Sequence, residues 1–231
     1  MGRKGSYAKG IAKREEILTS ALEVIAREGY GHASLRELSD AVGLTQAGVL
    51  HYFDSKEDLF VEVLRRSDQL AWARVGPPQG AETAERFLAN LAGNTKEPGL
   101  TQLYVQLSAI AAAGEGPART YLASRNRDFH RWVAESLRLE READPSFASG
   151  LEPLLATRVI MAVSDGLQNQ WLMDPSFDLA AIVGHVIELL VRGGAVVDEA
   201  RDVPEDHSRA LVVPAVARLT APRPRPNTIP A

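Results

Sequence analysis

Apolar residues recur at helical spacing along most of the chain. Over residues 11–28, Ile17, Leu18, Ala21, Leu22 and Ile25 share one face, and Gly29-Tyr30-Gly31 ends the pattern, which predicts a first helix. Ser34-Leu35-Arg36-Glu37 has the spacing of a capping box, in which a Ser hydroxyl and a Glu carboxylate satisfy the orphan N–H groups of a helix start. Leu35, Leu38 and Val42 then follow at helical spacing, and Gly43 falls where this short second helix ends. Thr45 is placed to cap a third short helix running through Phe53. Asp54-Ser55-Lys56-Glu57-Asp58 opens a longer fourth one that carries Leu59, Phe60, Val63 and Leu64 inside and runs to about Arg74. Two short helices joined by a glycine-containing turn predict a helix-turn-helix.

The run Val75-Gly76-Pro77-Pro78-Gln79-Gly80 is the strongest internal breaker before the C-terminal region. Beyond it, apolar periodicity predicts helices at about 81–94, 100–113, 117–142, 150–172 and 178–192. Alternating β-branched runs between turn signals are nearly absent, so the expected fold is all-α with about nine helices. Residues 1–66 are expected to form a basic arm and helix-turn-helix domain, and residues 67–194 a second, helical domain. Residues 195–231 hold six of the thirteen prolines, among them the run Ala221-Pro222-Arg223-Pro224-Arg225-Pro226, which predicts a largely disordered tail.

Composition narrows the function. The chain has 231 residues, 45% of them apolar and 24% charged, an ordinary globular balance, and it contains no cysteine. Disulfide scaffolds, zinc ribbons, iron–sulfur clusters and thiol nucleophiles are thereby excluded. The apolar stretch at 179–191 is interrupted by His185 and Glu188, short of the ~18 uninterrupted residues of a membrane helix. The basic opening leads into Lys13-Arg14-Glu15-Glu16 rather than an apolar segment, so no signal peptide and a cytoplasmic location are expected. Charge is unevenly spread. Arg3, Lys4, Lys9, Lys13 and Arg14 occur in the first 14 residues without an acid, whereas the middle of the chain is acidic on balance. Such an end suits a polyanion such as DNA phosphate, or equally a solubilising tail.

The segment Leu35-Arg36-Glu37-Leu38-Ser39-Asp40-Ala41-Val42-Gly43-Leu44-Thr45-Gln46-Ala47-Gly48-Val49-Leu50-His51-Tyr52-Phe53-Asp54-Ser55-Lys56-Glu57-Asp58-Leu59-Phe60 resembles the DNA-binding pattern of the TetR family of bacterial transcription regulators. The resemblance covers about residues 11–64 by motif; a local echo at Asp165-Gly166-Leu167-Gln168-Asn169-Gln170-Trp171-Leu172-Met173-Asp174-Pro175 looks like the end of the eighth helix in one branch of that family. One departure falls on the third helix. Many members have Gly, then Thr or Ala, an aliphatic residue and a phosphate-contacting Tyr, where this chain has Ala47, Gly48, Val49 and Leu50. Gly48 costs ~1 kcal/mol relative to Ala in a helix interior, and either permits close approach to DNA or reflects drift.

The resemblance implies a sequence-specific DNA-binding regulator, most simply a repressor released from a palindromic operator by a small molecule; the alternative is an activator or constitutive factor without ligand control. Thr45, Gln46, Ala47 and Gly48 would enter the major groove, Gln46 pairing with adenine and Arg36 with guanine. His51, Tyr52 and Lys56 would grip phosphates, Lys56 at a helix start whose dipole also favours an anion.

The helices at about 150–172 and 178–192 carry apolar residues on more than one face, among them Leu155, Val159, Ile160, Val163 and Leu167, then Leu179, Ile182, Val183, Val186, Ile187 and Leu190. One face can meet the core and another a second copy, as in the family's homodimers. Trp72, Tyr104, Phe129, Trp132, Met161 and Gln168 are candidates to line a pocket for an unidentified small molecule, though each such residue alone is more often plain core. His32, His51, His130, His185 and His207 have no metal-ligand spacing, and neither a Gly-x-Ser-x-Gly elbow nor a phosphate-binding glycine loop occurs. No metal, no cofactor, no membrane partner and no catalysis are expected.

Overall fold

A computed structural model describes residues 3–29, 33–75, 83–143 and 151–192. Among the described residues there are nine helices and no strand: α1 (Arg3–Glu28), α2 (Leu35–Ala41), α3 (Gln46–Leu50), α4 (Lys56–Val75), α5 (Thr83–Asn94), α6 (Pro98–Ala113), α7 (Pro117–Ala143), α8 (Pro153–Met173) and α9 (Leu179–Arg192). The all-α expectation holds. The glycine- and proline-rich breaker after Val75, His32, His207 and the expected disordered tail lie outside the described residues.

Two boundaries differ from the sequence reading. α1 begins at Arg3 rather than near residue 11, so the basic opening is helical rather than a loose arm. Periodicity detects only the buried stripe, which starts at Ile17, and is blind to the turns before it, where residues 8–16 are exposed or half-buried. α3 stops at Leu50 rather than Phe53, because the Tyr52 N–H turns back to the Val49 carbonyl at 2.9 Å, a tighter closure than the α-helical ladder. The chain then descends through Phe53, which is buried, to Ser55, whose hydroxyl accepts from the Asp58 N–H at 3.0 Å and caps α4.

Local chemistry sets the reading head. Ser34 and Glu37 form the full capping box, with Ser34 Oγ accepting from the Glu37 N–H at 3.1 Å and the Ser34 N–H donating to Glu37 at 2.8 Å. Gly43 has φ +65°, a left-handed conformation that turns the chain between α2 and α3 at no Cβ cost. The core beneath combines Ile17, Leu18 and Ile25 of α1, Leu38 of α2, Val49 of α3 and Leu59, Phe60 and Val63 of α4.

That core continues into Leu103 and Leu107 of α6 and Ala118 and Leu122 of α7. α6 crosses the end of α1 so closely that a Cβ at Gly99 would lie 1.9 Å from the Ile25 carbonyl oxygen. A second core joins Leu88 and Leu91 of α5, Val133 and Leu137 of α7, Ala156 and Ile160 of α8, and Leu179, Val183 and Ile187 of α9. α4, 20 residues and about 30 Å long, runs from the reading head into this half of the molecule.

Candidate DNA interface and ligand cavities

α3 exposes nearly all of itself. Val49 is its one buried residue, while Gln46, Ala47 and Leu50 face solvent. Thr45 caps the helix, its Oγ1 accepting from the Gly48 N–H at 3.0 Å. A Cβ at Gly48 would press to 3.2 Å of that same oxygen, so the glycine leaves the cap uncrowded, a local reason for it beside the two that the sequence suggests.

The other sequence-predicted contacts border α3. Arg36 lies in the first turn of α2 with its side chain 81% exposed, 4.0 Å from Asp40 in a pair too solvated to immobilise it. His51 is exposed and meets the Tyr52 ring edge-on at 5.4 Å; Tyr52 is half-buried and packs on the core. Lys56 is exposed at the start of α4, its ammonium 5.3 Å from the Phe60 ring centre. Of the basic opening, Lys13 is bonded to Glu16 and to the Val42 carbonyl, and Arg14 pairs with Glu62 at 3.1 Å and covers the Phe53 ring. These two charges hold α1 to the reading head, so they are not loose counter-charges for DNA.

The six pocket candidates divide between two spaces. A groove of about 990 Å³ runs between α4 and α7 and is bordered by Trp72, Phe129 and Trp132; an inner cavity of about 70 Å³ is bordered by Tyr104, Met161 and Gln168. Trp72 and Phe129 border both spaces. The aromatic wall is a cluster, Trp132 meeting Trp72 edge-on at 5.5 Å and Phe129 at 5.6 Å.

A polar partition separates the two. Arg125 donates to both carboxylate oxygens of Asp68, at 2.7 and 3.0 Å, and Tyr121 donates to the same carboxylate. Behind it Tyr104 donates to Asp165 at 2.8 Å, with the Arg125 guanidinium 5.0 Å from the Tyr104 ring centre. Burial, then the Asp165 charge, pushes the Tyr104 hydroxyl up to about 12. Burial likewise holds Asp165 above the usual carboxylate range, outweighing the Tyr104 hydrogen bond and the charges of Arg125 and His130. Burial acts against the Arg125 charge, but the Asp68 carboxylate holds it firmly protonated. Asn94 donates to Gln168 at 3.0 Å, so Gln168 is tied to a neighbour.

Sequence reasoning missed Glu57, Asp68, Tyr121 and Arg125. Each is an ordinary polar residue on an amphipathic helix, and their partners lie 53 to 61 positions away, beyond any local pattern. Among the described residues no cluster of His, Asp or Glu could hold a metal ion, and no helix is long and apolar enough to cross a membrane.

A capped, exposed second helix after a glycine turn, borne on a three-helix core, defines a helix-turn-helix DNA-binding regulator. The family model described as bacterial regulatory proteins of the tetR family matches residues 17–63. The chain is 23% identical over 191 residues to the fatty acid metabolism regulator protein of Bacillus subtilis, covering 78% of this chain and 95% of that protein. It is 27% identical over 155 residues to the HTH-type transcriptional repressor KstR2 of Mycolicibacterium smegmatis, covering 64% and 74%. The fold is similar to that of a transcriptional regulator from Rhodococcus, with a TM-score of 0.60 at 18% identity over 78% of this chain and 96% of that one. Residues 17–63 thus match the tetR family model, and over most of its length the chain is similar to regulators and repressors of transcription.

Proposed function

We propose that this chain is a repressor that binds a palindromic operator as a homodimer and releases it when a small molecule enters the regulatory half. The observation that carries the reading is α3, which buries Val49 alone and turns Gln46, Ala47 and its cap Thr45 outward beside exposed Arg36 and Lys56. In this reading residues 1–66 bind DNA and residues 67–194 regulate and dimerise. Gln46 reads adenine and Arg36 guanine, Thr45, Ala47 and Gly48 approach the groove, and His51, Tyr52 and Lys56 hold phosphates.

Dimerisation is supported by α8 and α9. Ile160, Leu179, Val183 and Ile187 turn into the second core, while Leu155 and Leu189 are exposed and Val159, Val163, Ile182 and Val186 are half-buried. Burying those outer faces against a second copy would form a four-helix interface, which places two reading heads on one operator. A cytoplasmic location follows from this role.

The groove between α4 and α7 supports ligand control, since a molecule against Trp72, Phe129 and Trp132 would press on the helix that carries Lys56. One observation favours the second reading, a factor without ligand control. The inner cavity is only about 70 Å³ and is crossed by the Tyr104–Asp165 and Asn94–Gln168 hydrogen bonds.

Selection of operators from random duplex DNA, repeated across salt concentrations, tests the proposal. A palindrome with a steep salt slope is expected. Recovery of no consensus would overturn it, and an operator that no small molecule in a release screen displaces would favour the second reading.

A further inference from the structure

Leu50 is a large apolar side chain left exposed at the end of α3. It is 39% exposed and takes no part in the core that holds Val49, Val42 and Phe53. It follows Gln46 by four positions, so the two lie one above the other on the same face of α3, about 6 Å apart along the axis. The same short helix carries Ala47, which is also exposed, and begins at the Thr45 cap. A leucine offers no hydrogen bond to a phosphate or to a polar base edge. The apolar group that a DNA major groove presents is the C5-methyl of thymine.

We propose that Leu50 is a specificity-determining residue that reads a thymine C5-methyl group within one or two base pairs of the base that Gln46 faces. The inference rests on the reading of α3 as the groove-entering helix. The face of Leu50 is continuous with the exposed surface of α3 that carries Gln46 and Ala47. The 6 Å between Gln46 and Leu50 spans just under two base-pair steps of about 3.4 Å, which sets the distance between the two contacts.

The test uses the full chain and the operator it selects. Each thymine of a half-site is replaced in turn by deoxyuridine, which removes the methyl and keeps the base pair, and affinity is measured by fluorescence anisotropy for the wild type and for Leu50→Ala. At one thymine per half-site, uracil is expected to weaken the wild type roughly four-fold, the worth of one buried methyl group, and to leave Leu50→Ala unaffected. The wild-type scan needs no variant, and Leu50→Ala removes no core contact, so its thermal midpoint serves as a folding control. If uracil costs nothing at any thymine, or costs Leu50→Ala as much as the wild type, the proposal is overturned. Selected half-sites without a thymine in that window overturn it as well. Failure of the wild type to select any operator overturns the reading of α3 itself, a result distinct from a selected operator indifferent to uracil.

Discussion

Glu57 and Ala118 are joined across the fold. Oε1 of Glu57, in the first turn of α4, accepts a hydrogen bond from the backbone N–H of Ala118, in the first turn of α7, at 2.9 Å. Gly116 sits against the same carboxylate, where a Cβ would lie 2.7 Å from Oε1. One side chain beside Lys56 therefore satisfies an orphan N–H at the start of the 27-residue α7. Glu57→Ala should cost about 1 kcal/mol, the usual worth of a helix cap, and Glu57→Gln, which keeps an acceptor, less than half of that. Urea denaturation midpoints check this; equal losses for the two variants would assign the effect to something other than the cap.

Gly99 stands where α6 meets the end of α1. The obstacle to a Cβ is the Ile25 carbonyl, which is backbone and cannot rotate away. Gly99→Ala should destabilise the protein by about 3 kcal/mol through overpacking, although alanine is the better helix former. Thermal unfolding would show a fall of many degrees, and an unchanged midpoint would mean that the two helices separate at little cost.

Asp68 and Arg125 form a two-bond pair on the partition between groove and cavity, with side chains 17% and 27% exposed. Asp68→Ala strands the guanidinium and also removes the acceptor of Tyr121. The expected loss is about 2 kcal/mol, below that of a fully buried pair because groove water reaches both partners. Adding Arg125→Met to Asp68→Ala should recover much of it. A double-mutant cycle decides, and strictly additive losses would show that the pair is not coupled.

Asp165 carries a pH dependence of known sign. Burial raises its carboxyl above the ordinary range, so the folded chain binds that proton more tightly than the unfolded chain does. Its contribution to stability is present in acid and is lost as pH rises from about 4 through the folded-state value. Asp165→Asn keeps an acceptor for Tyr104 and removes the titration. The stability of this variant relative to the wild type should rise with pH over that window and then level off. Urea midpoints taken from about pH 4 to 7 would show it, and a difference independent of pH would contradict it.

Lys56 is placed to touch phosphate rather than a base. Lys56→Ala should weaken operator and non-operator binding alike and flatten the salt slope by about one. A loss confined to one operator base pair would contradict that role.

The sequence by itself determined the reading head. Its signals are local: Ser34 and Glu37 are three residues apart, Gly43 needs its left-handed turn, and Thr45 caps a helix that begins at the next residue. Each is a short-range bond or backbone preference that survives whatever packs around it. The helical stripes of α5 to α9 were legible for the same reason, a period of 3.6 written in apolar residues. Short-range pattern could not show that the turns from Arg3 onward are helical, nor that α3 closes at Leu50. Tertiary structure alone decided which pocket candidates share a space, dividing Trp132 from Tyr104, Met161 and Gln168. It also brought Glu57 to Ala118, Asp68 to Arg125 and Tyr104 to Asp165. These pairs lie more than 50 positions apart, and only the crossing of packed helices brings such groups within hydrogen-bonding distance.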